Sequence, residues 1–252
     1  LQPSEIAKVS LIIFLSKYLE KNQNNLSNIK KSILPVLGII FLFFGLTMLE
    51  PDFGTGMVIV LSLMLILFIS GVKIKFFASL GILGILGIAG LIIIAPYRLK
   101  RIISFLNPWS DPLGSGYQII QSLYAIGPAS LLGLGFGKSI QKQFYLPEPQ
   151  TDFIFAIICE EFGIVGAISV IVLFISLFYI ILKISLKQSN LFAKYLSFGL
   201  GMQIILQGAL NLCVVTSLIP VTGVTLPFFS YGGSSLLVSM ISVGIILNIC
   251  GS

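Results

Sequence analysis

Seven apolar segments recur along the chain, at about residues 5–19, 33–50, 54–72, 76–95, 153–182, 195–218 and 233–250. Most exceed the roughly 18 residues that a helix needs to cross a hydrocarbon core about 30 Å thick. Helices are predicted throughout, because a strand edge exposed to lipid leaves backbone groups unpaired. The connections are short with one exception. Residues 96–152 form a Gly- and Pro-rich loop, and long connections of that kind usually carry function. The predicted fold is all-α, a polytopic transmembrane helix bundle forming one domain over residues 1–252. Ser4, after Pro3, is the expected N-cap of the first span. Thr151 or Asp152 is the expected cap of a fifth span that begins at Phe153 and runs for about 45 Å, so that its first two turns project above the lipid.

Composition agrees with a membrane protein and narrows the chemistry. The chain is 56% hydrophobic and 10% charged, with a mean hydropathy of +1.06, outside the balance of a soluble domain. Its three cysteines lie in apolar runs without the spacing of a zinc or redox motif. Histidine is absent, which removes a Ser-His-Asp triad, a His-zinc hydrolase and any histidine acid–base step. The opening on Leu1, with no methionine or polar head, suggests a chain truncated at its amino terminus.

Charge then assigns the faces. Lys17, Lys21, Lys30, Lys31, Lys73, Lys75, Lys183, Lys187 and Lys194 all fall at span ends that alternate onto one side, which the positive-inside rule makes cytoplasmic. Eight of the nine acids fall on the other side, only Glu20 being cytoplasmic. The external face, with the loop 96–152, is therefore the expected seat of function.

Several short stretches there have two readings. GLGFGKS at 133–139 resembles a phosphate-binding loop but carries Leu132 where the motif needs glycine. In QPSEIAK, Glu5 and Lys8 sit three apart on one helix face, as a cap with a snorkelling lysine or as the lining of a polar cavity. In MLEPDFGTG, Glu50 and Asp52 form a tight turn or a pair of carboxylates able to hold a cation or orient Lys8. Arg98, Lys100 and Arg101, directly after a span, are interfacial anchors or a clamp for a phosphate or pyrophosphate head group. Asp152 is a cap or a catalytic carboxylate. Glu160 and Glu161 lie roughly 80° and 180° around a helix from it, so the three cannot meet one ligand. Residues 220–235, rich in Gly, Pro and hydroxyls, form a turn segment or a cavity wall.

In this order, QPSEIAK, EPDFGTG, NPWSDPLGSGYQIIQS, LPEPQTDFIFAIICEE and PVTGVTLPFFSYGGSS resemble the SEDS family of bacterial wall-building membrane proteins, which includes FtsW, RodA and SpoVE. The likeness covers essentially the whole chain and is greater to the FtsW/SpoVE branch. It implies a ten-helix fold of which about seven spans are present, with an extracellular catalytic loop at about 96–152. It also implies a peptidoglycan glycosyltransferase that polymerises lipid II at the outer face of the bacterial plasma membrane, during division or sporulation. The family's essential carboxylate carries over to Asp152, and its cavity residues to Glu5, Lys8 and Asp52. Arg98, Lys100 and Arg101, or a divalent cation such as magnesium or manganese, are the expected stabilisers of the leaving pyrophosphate. Expected partners are lipid II, a lipid-linked glycan strand and a class B penicillin-binding protein, with no organic cofactor and no nucleic acid. A lipid II flippase and a non-catalytic scaffold for a transpeptidase are the alternatives.

Overall fold

The computed structural model describes residues 2–26, 28–50, 52–82, 84, 105–114, 116–128 and 130–251. The longer helices are α1 Pro3–Lys21, α3 Leu34–Leu49, α4 Phe53–Ile69, α5 Tyr117–Ile126, α7 Ile154–Lys187, α8 Leu191–Val215 and α9 Gly233–Gly251. Single turns α2 Ile29–Ser32 and α6 Gln141–Phe144 lie between them, and residues 74–82 are also helical. Six of the seven expected spans thus appear as helices within a few residues of their predicted limits. The remaining one, 76–95, lies mostly outside the described residues. By length and composition, α7, α8 and α9 can cross a membrane, whereas α3 and α4 are apolar but shorter.

Helix starts follow local chemistry, with one correction. Pro3 occupies the first turn of α1, where its missing N–H costs nothing, so Gln2 stands in the cap position. Ser4 is therefore not the cap; it is buried inside the first turn. Helix α7 begins at Ile154, with Phe153 fully buried before it and Asp152 in the preceding turn. At α8 the Asn190 side chain accepts from Phe192 N at 2.8 Å and from Ala193 N at 3.3 Å, an N-cap the apolar pattern alone had not singled out.

The chain divides into two compact units. The first comprises residues 1–72, 169–211 and 222–252. Within it α1 packs against α4 and α9, and α3 against α4. Leu11, Ile12 and Leu15 of α1 are buried with Ile59, Leu63 and Ile66 of α4. Phe41, Leu42 and Leu46 of α3 instead face outward, as in a helix that is apolar all round because one side meets lipid.

The second unit comprises residues 73–168 and 212–221. Its long connection is not structureless: α5, α6 and a 3-10 turn at Pro108–Ser110 lie within the described part. Trp109, from that turn, stacks edge-on against Tyr124 of α5 with ring centres 5.7 Å apart. The Ser122 hydroxyl of α5 donates to the Val215 carbonyl at 2.7 Å, fixing the helix against 212–221.

The expected 45 Å helix is broken. Gly163 has φ 66° and ψ −155°, a region essentially reserved for glycine. The break separates nine residues, 154–162, from a 24-residue segment, 164–187, about 36 Å long and sufficient to span a bilayer alone.

Candidate functional site

A polar cavity of about 180 Å³ opens in the first unit. Glu5 of α1, Asp52 and Thr55 at the start of α4, Gln207 of α8, and Thr225 and Ser235 from the 220–235 stretch line it. Three of the sequence motifs therefore meet at one place, and the Gly- and hydroxyl-rich stretch supplies a wall.

Each carboxylate is held by its own element. Glu5 accepts from Lys8 Nζ at 2.8 Å, a pair whose side chains are 6% and 1% exposed. Three-residue spacing on a helix brings the two together. Lys8 Nζ also donates to Gln207 Oε1 at 2.9 Å, which ties α1 to α8. Asp52 caps α4, accepting from Thr55 N at 2.9 Å, and accepts from Gln2 Nε2 at 3.0 Å. It does not receive the Lys8 ammonium, which goes to Glu5 and Gln207. Glu50 is exposed in the adjoining turn.

Gln207 extends the network. Its Nε2 donates to the Thr225 carbonyl at 3.3 Å and to the Thr225 and Ser235 hydroxyls at 3.1 Å each. One turn on, Asn211 Nδ2 donates to the Val224 carbonyl at 2.7 Å. Gln203, Gln207 and Asn211 are all buried and fall four apart. That run of amides on an otherwise apolar helix is a signal the sequence carries outside its short motifs, since polar groups inside a membrane helix face its interior.

The cavity's electrostatics select its ligand. Glu5 and Asp52 are the acids of its lining, while Lys8 stands behind Glu5. Ionised carboxylates only accept hydrogen bonds, so hydrogen-bond donors such as sugar hydroxyls or amides suit the site.

Asp152 belongs to the second unit. It is half-buried in the turn before α7, in which the Thr151 hydroxyl donates to the Glu148 carbonyl at 3.1 Å. Glu160 and Glu161 are buried and turned to other work. Glu160 accepts from the Ser139 hydroxyl, from Ile140 N at 3.0 Å and from Gln141 N. Glu161 pairs with Lys142 Nζ at 2.6 Å and accepts from Ser139 N at 3.3 Å. Both acids thus hold the loop around α6 onto α7. The GLGFGKS stretch supplies Ser139 to this anchor, which is its observed role in place of a phosphate loop.

Arg98, Lys100 and Arg101 lie outside the described residues. Among the described residues no three acidic or cysteine side chains gather as a metal site would require. Glu5, Asp52, Glu160 and Glu161 are each already bonded within the protein.

Comparison with known proteins completes the picture. A family model described as "Cell cycle protein", FtsW/RodA/SpoVE, matches residues 1–252. Stage V sporulation protein E of Bacillus subtilis is 49% identical over 99% of this chain and 68% of its own length. A probable peptidoglycan glycosyltransferase FtsW of Coxiella burnetii is 42% identical, again over 99% of this chain and 68% of its own. Among solved structures, a chain from a peptidoglycan synthase complex, reported for its structural coordination of polymerization and crosslinking, superposes with a TM-score of 0.75. It is 30% identical and is matched over 100% of this chain and 70% of that one. The rod shape determining protein RodA of Thermus thermophilus gives 0.63 at 25% identity, over 100% of this chain and 66% of that one. The five motifs, the helical bundle and these relatives agree: the chain belongs to the FtsW/RodA/SpoVE family, on its FtsW/SpoVE side.

Proposed function

We propose that this chain is a peptidoglycan glycosyltransferase that polymerises lipid II into glycan strands at the outer face of the plasma membrane, serving division or sporulation. The observation that carries this reading is the identity of 42% along nearly the whole chain to a relative named for that activity. The buried Glu5–Lys8 pair beside a polar cavity supports it, because ionisable groups within membrane helices are costly and mark functional sites.

Asp152 is the proposed general base. It takes the proton from the acceptor sugar's 4-hydroxyl as that oxygen bonds to the anomeric carbon of the lipid-linked strand. The bond from that carbon to the pyrophosphate breaks, and undecaprenyl pyrophosphate departs with the electron pair. One positioned carboxylate contributes roughly 10²–10⁴-fold to such a step. Glu5 and Asp52, in the acceptor-lined cavity, are suited to sugar hydroxyls, and Lys8 holds Glu5 in place. Arg98, Lys100 and Arg101 are the proposed partners of the leaving pyrophosphate, whose growing charge guanidinium groups can meet in bidentate fashion. A class B penicillin-binding protein is the proposed partner that cross-links the product.

The decisive measurement is strand synthesis from lipid II by the protein reconstituted with that partner, with Asp152→Asn and Asp152→Ala beside the parent. Loss of at least about 10²-fold in both variants, with unchanged unfolding temperature, is expected. Strand synthesis that survives both substitutions would remove Asp152 from the chemistry. Lipid translocation without polymer from the parent would replace the transferase with a transporter.

A further inference from the structure

We infer that the segment 130–137 is a membrane-inserted wedge, seated in the acyl and headgroup boundary of the leaflet on the loop's side.

Four main-chain hydrogen bonds fix where this segment lies. The break at Gly163 frees two donors and two acceptors of α7, and the loop takes all four. Ile164 N donates to the Ser130 carbonyl at 3.2 Å and Val165 N to the Leu131 carbonyl at 3.3 Å. Leu134 N and Gly135 N donate to the Glu160 and Glu161 carbonyls, each at 2.9 Å. The loop is therefore registered, residue against residue, on the first turn of the 164–187 segment.

That segment identifies the solvent. The most apolar window of α7 is only 17% buried, and Ile164, Val165 and Ile168 are each about half exposed. An apolar helix of membrane-crossing length with such a surface faces hydrocarbon. Groups hydrogen-bonded to its first turn share that depth.

The loop's own surface matches. Leu131, Leu132 and Phe136 are 69%, 75% and 84% exposed, and residues 130–137 carry no charge. Phe136 packs beside Phe162 with ring centres 6.0 Å apart, so the apolar patch is continuous with α7. Lys138, exposed, closes the segment and is placed to reach lipid phosphates, with its stem along the apolar surface. Irregular backbone resists entry to an apolar layer because its polar groups lose water; here the helix break has already satisfied four of them. Gly133 permits the close approach, since a Cβ there would stand 2.5 Å from the Glu161 carbonyl. Seating the wedge would hold the following residues, up to Asp152, at headgroup level, where the lipid-linked reactants present their sugars. The membrane contact itself does not depend on the reaction proposed above.

The test is tryptophan depth in proteoliposomes of phosphatidylglycerol and phosphatidylethanolamine. Leu132→Trp and Phe136→Trp are made separately in a Trp109→Phe background, with Ile168→Trp as the lipid-facing reference. Both positions are exposed, so the larger ring is accommodated. Blue-shifted emission, quenched by lipids brominated high on the acyl chain to within roughly two-fold of the reference, is expected. Water-like emission with no bromine quenching at both positions would overturn the inference. So would shielding that arises only when a penicillin-binding protein is added and that bromine does not quench, which would make the patch a protein interface.

Discussion

Lys8 and Glu5 are the residues whose roles depend most on each other. Both are buried, and a buried charge that loses its counter-ion costs about 3–5 kcal/mol. Lys8→Met should destabilise the protein by that amount, read from its unfolding midpoint in bilayer discs. The double variant with Glu5→Gln should recover most of the loss, since removing both groups leaves no buried charge unpaired. Were the double variant as unstable as the single one, the pair would not be the source of the effect. The pairing itself was legible, because three-residue spacing on a helix forces the contact. Gln207 as the third member was not, because no local pattern relates residues 199 apart. The cap at Asp52 was readable from its place before an apolar run, whereas the bond from Gln2 needed the packed bundle.

At the scale of elements, the helix limits were legible and the break in α7 was not. Continuous apolar runs report length but not continuity, and Gly163 looks like any glycine in an apolar helix. What marks it is the partner loop: a Cβ at this position would run into the Ser130 and Leu131 carbonyls and Gly133 N. Gly163→Ala should therefore cost at least about 1–3 kcal/mol from backbone strain alone and should release residues 130–142 to limited proteolysis. Gly45→Ala is the matched control. Nothing lies within 4 Å of a Cβ there, and replacing a mid-helix glycine should stabilise by about 0.5–1 kcal/mol. Equal behaviour of the two variants would deny the break any structural importance. The same docking explains why Glu160 and Glu161, conspicuous in the sequence, are anchors. Lys142→Ala, which leaves the buried Glu161 carboxylate with backbone donors, should loosen the loop by about 1–3 kcal/mol in the same proteolysis assay.

For the molecule as a whole, the lysine distribution predicts sidedness. Cys250, at the exposed end of α9, should react with an impermeant maleimide only after the membrane is opened. A Leu113→Cys variant, at a position 90% exposed in the loop, should react in intact cells. The opposite pattern would invert the bundle and remove the outer-face reading of its site. Charge counting gives this orientation from sequence because insertion responds to lysine and arginine at span ends. The surroundings of Asp152 were not legible in that way. They depend on a loop whose placement comes from hydrogen bonds to a helix break, and hydropathy carries no trace of those.

The three-residue spacing of Glu5 and Lys8 also bears on how the chain is made. Lysine within a helix entering the bilayer costs the insertion machinery up to about 2.5–3.5 kcal/mol, the value at the helix centre. Gln207, which shares the ammonium in the finished fold, is translated 199 residues later and cannot help at that moment. A counter-ion one helical turn away travels with the lysine, so α1 can leave the translocation channel with its charge already matched. The later arrival of α8 then converts a pair formed for passage into a joint between helices.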